Sequence, residues 1–208
     1  MNVLIATKNP GKFDEIKGVL DDLPIDFVFL GDLDGFEDSD FAEDGETHEE
    51  NAYKKARYYY DKLAEERGFD YVLGEDSGVY VDALADELGV ETRRWGAGAE
   101  ASDEDWLAYF MEEIGRRAGE DDSRRGAKFV CHASLIGPEG VESFYGETGG
   151  RITNEVCSEV LPGLPLSSVF LADGVDKVYA ALSQEEKNEI SHRGQAVSAL
   201  KKWFGFKI

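Results

Sequence analysis

Two adjacent carboxylates, Glu75 and Asp76, lie in the run Gly74-Glu75-Asp76-Ser77-Gly78, between the apolar runs 71–73 and 79–81. The run predicts a tight turn between two strands, because Asp bonds nearby backbone and Gly tolerates a positive φ. Such a turn would aim both acids at a cleft. Carboxylates in that position suit Mg²⁺, which is usually bound through one or two carboxylates together with substrate phosphates. The run therefore indicates phosphate chemistry, with an ordinary turn as the alternative interpretation.

Residues 7–12 join the first predicted strand to the first predicted helix. Asn9 suits the N-cap of that helix, and Pro10 suits its first position. Capping does not explain Lys12, because the helix dipole disfavours a cation in the first turn. An anion at the free N–H groups of this turn would reverse that effect, with the side chains of Thr7 and Asn9 adding hydrogen bonds. The segment predicts a triphosphate site, and an exposed lysine without a role is the alternative.

Thr47 and Glu50 have the spacing of a capping box at the start of a long amphipathic helix. Capping alone would account for Glu50. The chemical interpretation makes Glu50 a metal ligand that faces Asp76, and it makes Lys55, one turn further along, a phosphate contact. His48 lacks the spacing of a metal-binding HExxH motif, so it is predicted to be structural or exposed.

Near the C-terminus, three cation-capable side chains stand at a break between two short predicted helices: Lys187, His192 and Arg193. Basic residues there can simply complement the end of the preceding helix. They follow an otherwise acidic stretch, residues 173–189, and this contrast favours a ligand contact. A serine hydrolase is not indicated, since the chain has no Gly-x-Ser-x-Gly elbow.

The net charge of −22 at pH 7 argues against a nucleic-acid partner, because proteins that bind nucleic acids present a basic face to phosphates. The few lysines and arginines must then be concentrated wherever an anionic ligand binds. The acidic stretches 32–50 and 100–113 are otherwise predicted to be solvated. No apolar run approaches the ~20 residues of a membrane span, so a cytoplasmic protein without a membrane partner is expected. Cys131 and Cys157 are predicted to be buried free thiols.

These residues are carried by alternating predicted strands and helices in one domain that spans residues 1–208. Predicted strands lie near 2–7 and 25–31, on both sides of Asp76, and over 128–137, 141–152 and 169–171. Predicted helices lie near 10–22, 47–67 and 102–117, from 184, and after 191. The alternation predicts an α/β fold, with a mixed elongated sheet flanked by helices and two lobes around a central cleft.

In order and spacing, these segments resemble the family of inosine triphosphate pyrophosphatases, also called noncanonical purine NTP pyrophosphatases or the Ham1-like family. Four family patterns span nearly the whole chain: T-x-N-x-x-K at residues 7–12, E-N-A-x-x-K-A at 50–56, D-S-G-L-x-V-x-A-L at 76–84 and K-n-x-i-S-H-R at 187–193. The third is matched with Val79 in place of its leucine. The resemblance implies an ITPase-like fold and a homodimer.

By this resemblance, the protein is expected to cleave between the α and β phosphates of a nucleoside triphosphate, releasing a monophosphate and pyrophosphate. Glu50 and Asp76 are implied to hold Mg²⁺, and Asp76 or Glu75 to orient the attacking water or accept its proton. Lys12 is implied to act in catalysis as well as binding. Substrate contacts are implied for the other matched residues: Thr7, Asn9, Lys12, Lys55, Ser77, Lys187, His192 and Arg193.

The chain departs from the family at the base-reading motif. Family members usually carry G-F-G-Y-D-P before a strand, whereas residues 163–168 here are Gly-Leu-Pro-Leu-Ser-Ser. Leu164 offers no aromatic stacking face, and Ser167 replaces a charged acceptor by a neutral hydroxyl. A later acidic position is also replaced, by Ala181. The expected substrates are ITP, dITP and XTP. The alternatives are the same reaction on another nucleotide, or a nucleotide-binding module without turnover.

Overall fold

The computed structural model describes residues 1–35, 41–85 and 87–207, whose strands form a mixed six-stranded sheet. The strands are β1 (Asn2–Ile5), β2 (Asp26–Phe29), β3 (Tyr71–Val81), β4 (Gly126–Gly137), β5 (Gly140–Ile152) and β6 (Phe170–Ala172). They lie side by side in the order β2-β1-β3-β4-β5-β6. β1 pairs in parallel with β2 and β3, whereas the pairings from β3 through β6 are antiparallel.

Five α-helices within the described residues flank the sheet: α1 (Pro10–Leu20), α2 (His48–Arg67), α3 (Asp103–Ala118), α4 (Gln184–Ile190) and α5 (His192–Gly205). Val72 of β3 packs in the core that contains α2, and its neighbour Leu73 packs in the core that contains α1 and α5. Successive side chains of a strand point to opposite faces, so these helices cover the two faces of the sheet. The predicted α/β fold with a mixed sheet flanked by helices is confirmed.

The prediction of two short strands around a turn at Asp76 is wrong. β3 is continuous, and β4 pairs with it from Val72↔Ile136 to Val81↔Ala127. Neither Gly74 nor Gly78 has a positive φ. Both glycines instead permit close approach, since a Cβ at Gly74 would overlap the backbone of α2 and a Cβ at Gly78 would overlap the carbonyl oxygen of Gly89. The glycines that suggested a turn therefore serve packing across a strand.

A third core surrounds α3, where Trp106, Phe110 and Ile114 are buried together with Val79 of β3. Leu73 belongs to the core of α1 and α5, so two separate cores adjoin β3 on either side of residues 74–78. The two acids found by sequence lie in this interval.

The acidic side chains described in stretches 32–50 and 100–113 are exposed or half-buried, as predicted. Residues 36–40 lie outside the described residues, and His48 in the same stretch is buried. Cys131 is buried as predicted, but the prediction is wrong for Cys157, which is exposed in the irregular segment after β5. None of the described helices is both long and apolar enough to cross a membrane.

Candidate active site

The end of β1 and the middle of β3 bring two distant segments of sequence together. β1 ends at Ile5, which pairs with Leu73, and β3 continues beyond this point. Residues 74–78 therefore lie beside the loop that leads into α1. A cavity of about 700 Å³ opens here. Most of the predicted site residues line it: Thr7, Asn9, Lys12, Lys55, Asp76, Ser77, Lys187, His192 and Arg193.

Asn9 caps α1, as predicted. Its Oδ1 accepts a hydrogen bond from the backbone N–H of Lys12 at 3.1 Å, and Pro10 is the first helical residue. Its Nδ2 donates to the carbonyl oxygen of Gly163 at 2.8 Å, while Thr7 Oγ1 accepts from the N–H of Asn9 at 3.1 Å. Gly163 has a φ of 72°, and a Cβ there would overlap Asn9. Asn9 thus ties the start of α1 to the segment that departs from the family pattern.

Glu75 is buried beneath the cavity and binds two cations. Its Oε2 lies 2.9 Å from Lys12 Nζ, and its Oε1 lies 3.0 Å from Arg193 Nη2. Burial raises the pKa of Glu75, but the charges of Arg193 and Lys12 outweigh it and hold that pKa well below its ordinary value. Glu75 is therefore ionised and neutralised by partners, which suits a residue that fixes Lys12 and Arg193 in place. Ser77 Oγ accepts a further bond from Arg193 Nη2 at 2.9 Å.

Glu15 is a site residue that the sequence reasoning missed. It is buried and forms ion pairs with both Lys187 and Arg193. Burial raises the pKa of Glu15, but these two cations outweigh it and lower the pKa below its ordinary value. A signal was present in the sequence, because Glu15 lies three residues after Lys12 and so shares its helix face.

Asp76 is held by the start of α2. Its Oδ2 lies 2.8 Å from His48 Nδ1 and 3.3 Å from Asn51 Nδ2. Burial raises the pKa of Asp76, but the His48 hydrogen bond and the charges of Lys12 and Lys55 outweigh it, so the net pKa is lowered. His48 is buried with 4% exposure, and its contact with Asp76 was not foreseen from sequence.

Two acids near the start of α2 differ in their access to the cavity. Glu50 is exposed, is absent from the described lining of the cavity, and accepts a hydrogen bond from the N–H of Glu46 at 2.8 Å. Glu43 lines the cavity, forms an ion pair with Lys55, and has its Oε2 3.8 Å from Arg94 Nη1. Lys55 also donates to the carbonyl oxygen of Glu75 at 3.0 Å. Of these two acids, Glu43 and not Glu50 lines the cavity together with Asp76.

Aromatic rings also line the cavity. The ring of His192 stacks on Phe129 with 4.7 Å between centroids and 20° between planes. Burial lowers the pKa of His192 well below its ordinary value, and the neighbouring Arg193 lowers it further, so the imidazole is neutral. Its Nδ1 has no hydrogen-bond partner among the described residues. Ser167 Oγ accepts from Lys187 Nζ at 3.3 Å, so this hydroxyl is already engaged by the protein.

The site is thus a pocket on a protein of charge −22 that is lined by cations, carboxylates and aromatic rings. In this α/β protein, such a pocket is suited to an anionic ligand with a planar or apolar part.

Comparison with known proteins gives the family. The sequence model of the Ham1 family matches residues 3–203. The chain is 34% identical over 203 residues to the dITP/XTP pyrophosphatase of Caldanaerobacter subterraneus subsp. tengcongensis, covering 98% of this chain and 96% of that relative. It is 35% identical over 206 residues to the dITP/XTP pyrophosphatase of Geobacter sulfurreducens, covering 99% and 97%. The solved structure of the Staphylococcus aureus Ham1 protein matches all of both chains, with a TM-score of 0.77 and 30% identity. The chain belongs to the Ham1 family.

Proposed function

We propose that the protein is a nucleoside triphosphate pyrophosphatase acting on the noncanonical purine nucleotides ITP, dITP and XTP. It would hydrolyse the α–β phosphoanhydride, with a nucleoside monophosphate and pyrophosphate as products. The observation that carries the proposal is the convergence of Lys12, Lys55, Lys187 and Arg193 on one cavity with Asp76, in a chain of strong negative charge. The names of the relatives, dITP/XTP pyrophosphatases, support the class of substrate.

The charges indicate how a nucleotide would lie. Lys12 pairs with the carboxylate of Glu75, and Lys55 donates to the carbonyl oxygen of the same residue. Both lysines therefore lie beside Asp76, and we place the phosphates at this end of the cavity. His192 and Phe129 stack at the other end, where a base would find flat ring surfaces. Lys187 lies near Ser167 and 5.5 Å from the ring centre of Tyr179, also toward that end. Cations that are already fixed by Glu75 and Glu15 stabilise developing phosphate charge without reorganising during the reaction.

Asp76 and Glu43 fit a Mg²⁺ ion better than Asp76 and Glu50. Both of the former line the cavity, whereas Glu50 does not. Mg²⁺ is usually bound by one or two carboxylates, and its remaining coordination positions are filled by water and phosphate oxygens. When bound, Mg²⁺ would neutralise phosphate charge and lower the pKa of a bound water.

Asp76 is the residue we assign to the attacking water. Its lowered pKa keeps it ionised at neutral pH, so it can accept a hydrogen bond from the water and take up its proton. Glu75 is less suited, because Lys12 and Arg193 already bind its two oxygens. Lys12 and Lys55 would offset the charge that develops on the phosphates.

The altered segment 163–168 favours a second candidate, the same reaction on a different nucleotide. Leu164 contributes no ring to the cavity, and the hydroxyl of Ser167 is engaged by Lys187. We also propose a cytoplasmic homodimer without a nucleic-acid or membrane partner. The family resemblance implies the homodimer, and the net charge of −22 argues against a nucleic-acid partner. Light scattering on the purified protein tests the oligomeric state.

Product analysis tests the reaction. The protein is incubated with Mg²⁺ and a panel of nucleoside triphosphates in water enriched in ¹⁸O. Attack at the α-phosphate places the label in the monophosphate and gives unlabelled pyrophosphate, both measurable by mass spectrometry. Orthophosphate as the only phosphate product contradicts the proposal. Stoichiometric nucleotide binding with no product would instead establish a binding module.

A further inference from the structure

His48 contacts the carboxylate that the proposed reaction assigns to the attacking water. The contact is between His48 Nδ1 and Asp76 Oδ2, and Asn51 Nδ2 donates to the same oxygen. A carboxylate only accepts, so Nδ1 carries the proton of the His48 bond. His48 and Asn51 are three residues apart in α2, and their side chains share one helix face. Neither bond involves Oδ1, so the two donors hold Asp76 through one oxygen.

Apart from the bond to Asp76, the packing around His48 does not require a histidine. It is buried, and a Cβ added at Gly78 would lie 2.7 Å from His48 Cε1. Its Nε2 is also buried and has no hydrogen-bond partner among the described residues. A buried polar atom without a partner is destabilising, because it has lost its hydrogen bonds to water. An apolar side chain would therefore pack here at lower cost, and what histidine adds is its N–H toward Asp76.

We propose that His48 is a positioning residue, which orients the carboxylate of Asp76 for the attacking water. The inference rests on the proposed pyrophosphatase reaction. His48 is not among the described residues that line the cavity, so it acts through Asp76 and not on the substrate. Its loss should lower the rate of the chemical step more than the affinity for nucleotide.

Two variants separate positioning from packing. His48→Leu removes the donor and also removes the unpartnered Nε2. His48→Asn keeps an N–H donor close to the position of the imidazole Nδ1. His132→Leu is the matched control, because His132 is the β4 residue paired with Asp76 across the sheet. Its ring packs on Tyr145 instead, with 4.6 Å between centroids.

We expect His48→Leu to lower kcat by about 10–100-fold, the usual cost of losing a group that orients an active-site ligand. KM should change by less than about threefold, and His48→Asn should recover most of kcat. The melting temperature of His48→Leu should equal or exceed that of the wild type, whereas His132→Leu should keep kcat within about twofold. In crystals grown without nucleotide, the carboxylate of Asp76 should turn in His48→Leu and keep its place in His48→Asn.

A wild-type kcat in His48→Leu would overturn the inference. Equal losses in both His48 variants with lowered melting temperatures would also overturn it, since that is the pattern of a packing role. If the wild-type protein releases no pyrophosphate from any nucleotide, the proposed function fails separately. The crystal structures then decide on His48, and an unmoved Asp76 carboxylate in His48→Leu counts against it.

Discussion

Lys12 and Glu75 form an ion pair between the first turn of α1 and the middle of β3, with 2.9 Å between Nζ and Oε2. Burial lowers the pKa of Lys12, but the carboxylate of Glu75 outweighs it and leaves that pKa raised. The cation that the helix dipole disfavours thus has an internal counter-ion. Glu75 holds the lysine in position before a nucleotide binds. A bound phosphate would then share Lys12 with Glu75.

Replacing Lys12 should reduce activity much more than stability. We expect Lys12→Met to lower kcat/KM for ITP by about 100-fold or more, because a preorganised charge at the phosphates is lost. The free energy of unfolding should fall by less than about 3 kcal/mol, since Arg193 still neutralises Glu75. Steady-state kinetics and urea denaturation measure the two effects. Lys17→Met, in the last turn of the same helix, is the control; normal kinetics in Lys12→Met would remove this lysine from the phosphate site.

Asp76→Asn should abolish most of the turnover while the fold is kept. The amide cannot accept the proton of the water, so kcat should fall by about 100-fold or more, the scale for a positioned base. Residual product should still carry ¹⁸O in the monophosphate. Circular dichroism checks the fold, and a variant with undiminished pyrophosphate release would show that another group activates the water.

The two candidate metal carboxylates can be told apart by matched amide variants. Glu43→Gln should raise the Mg²⁺ concentration needed for half-maximal rate and lower kcat by about tenfold or more, because Glu43 lines the cavity. Glu50→Gln should stay within about threefold of wild type, because its carboxylate binds the N–H of Glu46. The opposite ranking would restore Glu50 as the ligand.

His192 should make stability depend on pH below neutrality. Burial, reinforced by Arg193, holds its folded pKa well below 6.5, so the unfolded chain binds a proton that the folded chain does not. Stability should therefore fall as the pH drops below about 6.5, by at most about 1.4 kcal/mol per pH unit for one histidine. The lowered pKa values of Glu75, Glu15 and Asp76 act in a separate window, near pH 4 and below.

Urea unfolding of His192→Gln between pH 7.5 and 5 measures this contribution. The variant should show a shallower pH dependence than the wild type. His132→Leu should flatten it too, but by less, because His132 is only half-buried and its pKa is lowered mainly by that burial. Parallel curves for the wild type and His192→Gln would mean that His192 is not held neutral by the fold.

Ser167→Asp should sharpen the choice of base. The family pattern has an acid at this position, and Lys187 Nζ lies 3.3 Å from Ser167 Oγ, so a carboxylate there would gain a cationic partner. We expect the ratio of kcat/KM for ITP over ATP to rise by about 5–150-fold. This factor corresponds to about 1–3 kcal/mol, the size of one pocket contact. Ser167→Ala should leave the ratio nearly unchanged. A wild-type enzyme that already rejects ATP strongly would show that residues such as His192 have taken over base reading.

The sequence determined the local features of this protein. The N-cap at Asn9, the start of α2 after Thr47 and the β4–β5 hairpin follow from short-range capping and turn chemistry. The sequence patterns that contain Lys12, Lys55, Asp76 and Arg193 also identified site residues, most of which line the cavity. Each of these features depends on residues close together in the chain, or on a sequence pattern that can be recognised without knowing which residues are in contact in the fold.

Only the tertiary structure decided which groups meet. His48 reaches Asp76 over 28 residues of sequence, and Glu15 reaches Arg193 over 178. The strand through Asp76 is continuous because β4 pairs with it from Val72 to Val81. The path of the chain into α2 places Glu43 at the cavity, where the sequence had predicted Glu50. A carboxylate's partners, and with them its pKa and its role, are set by packing between distant segments, which local spacing does not encode.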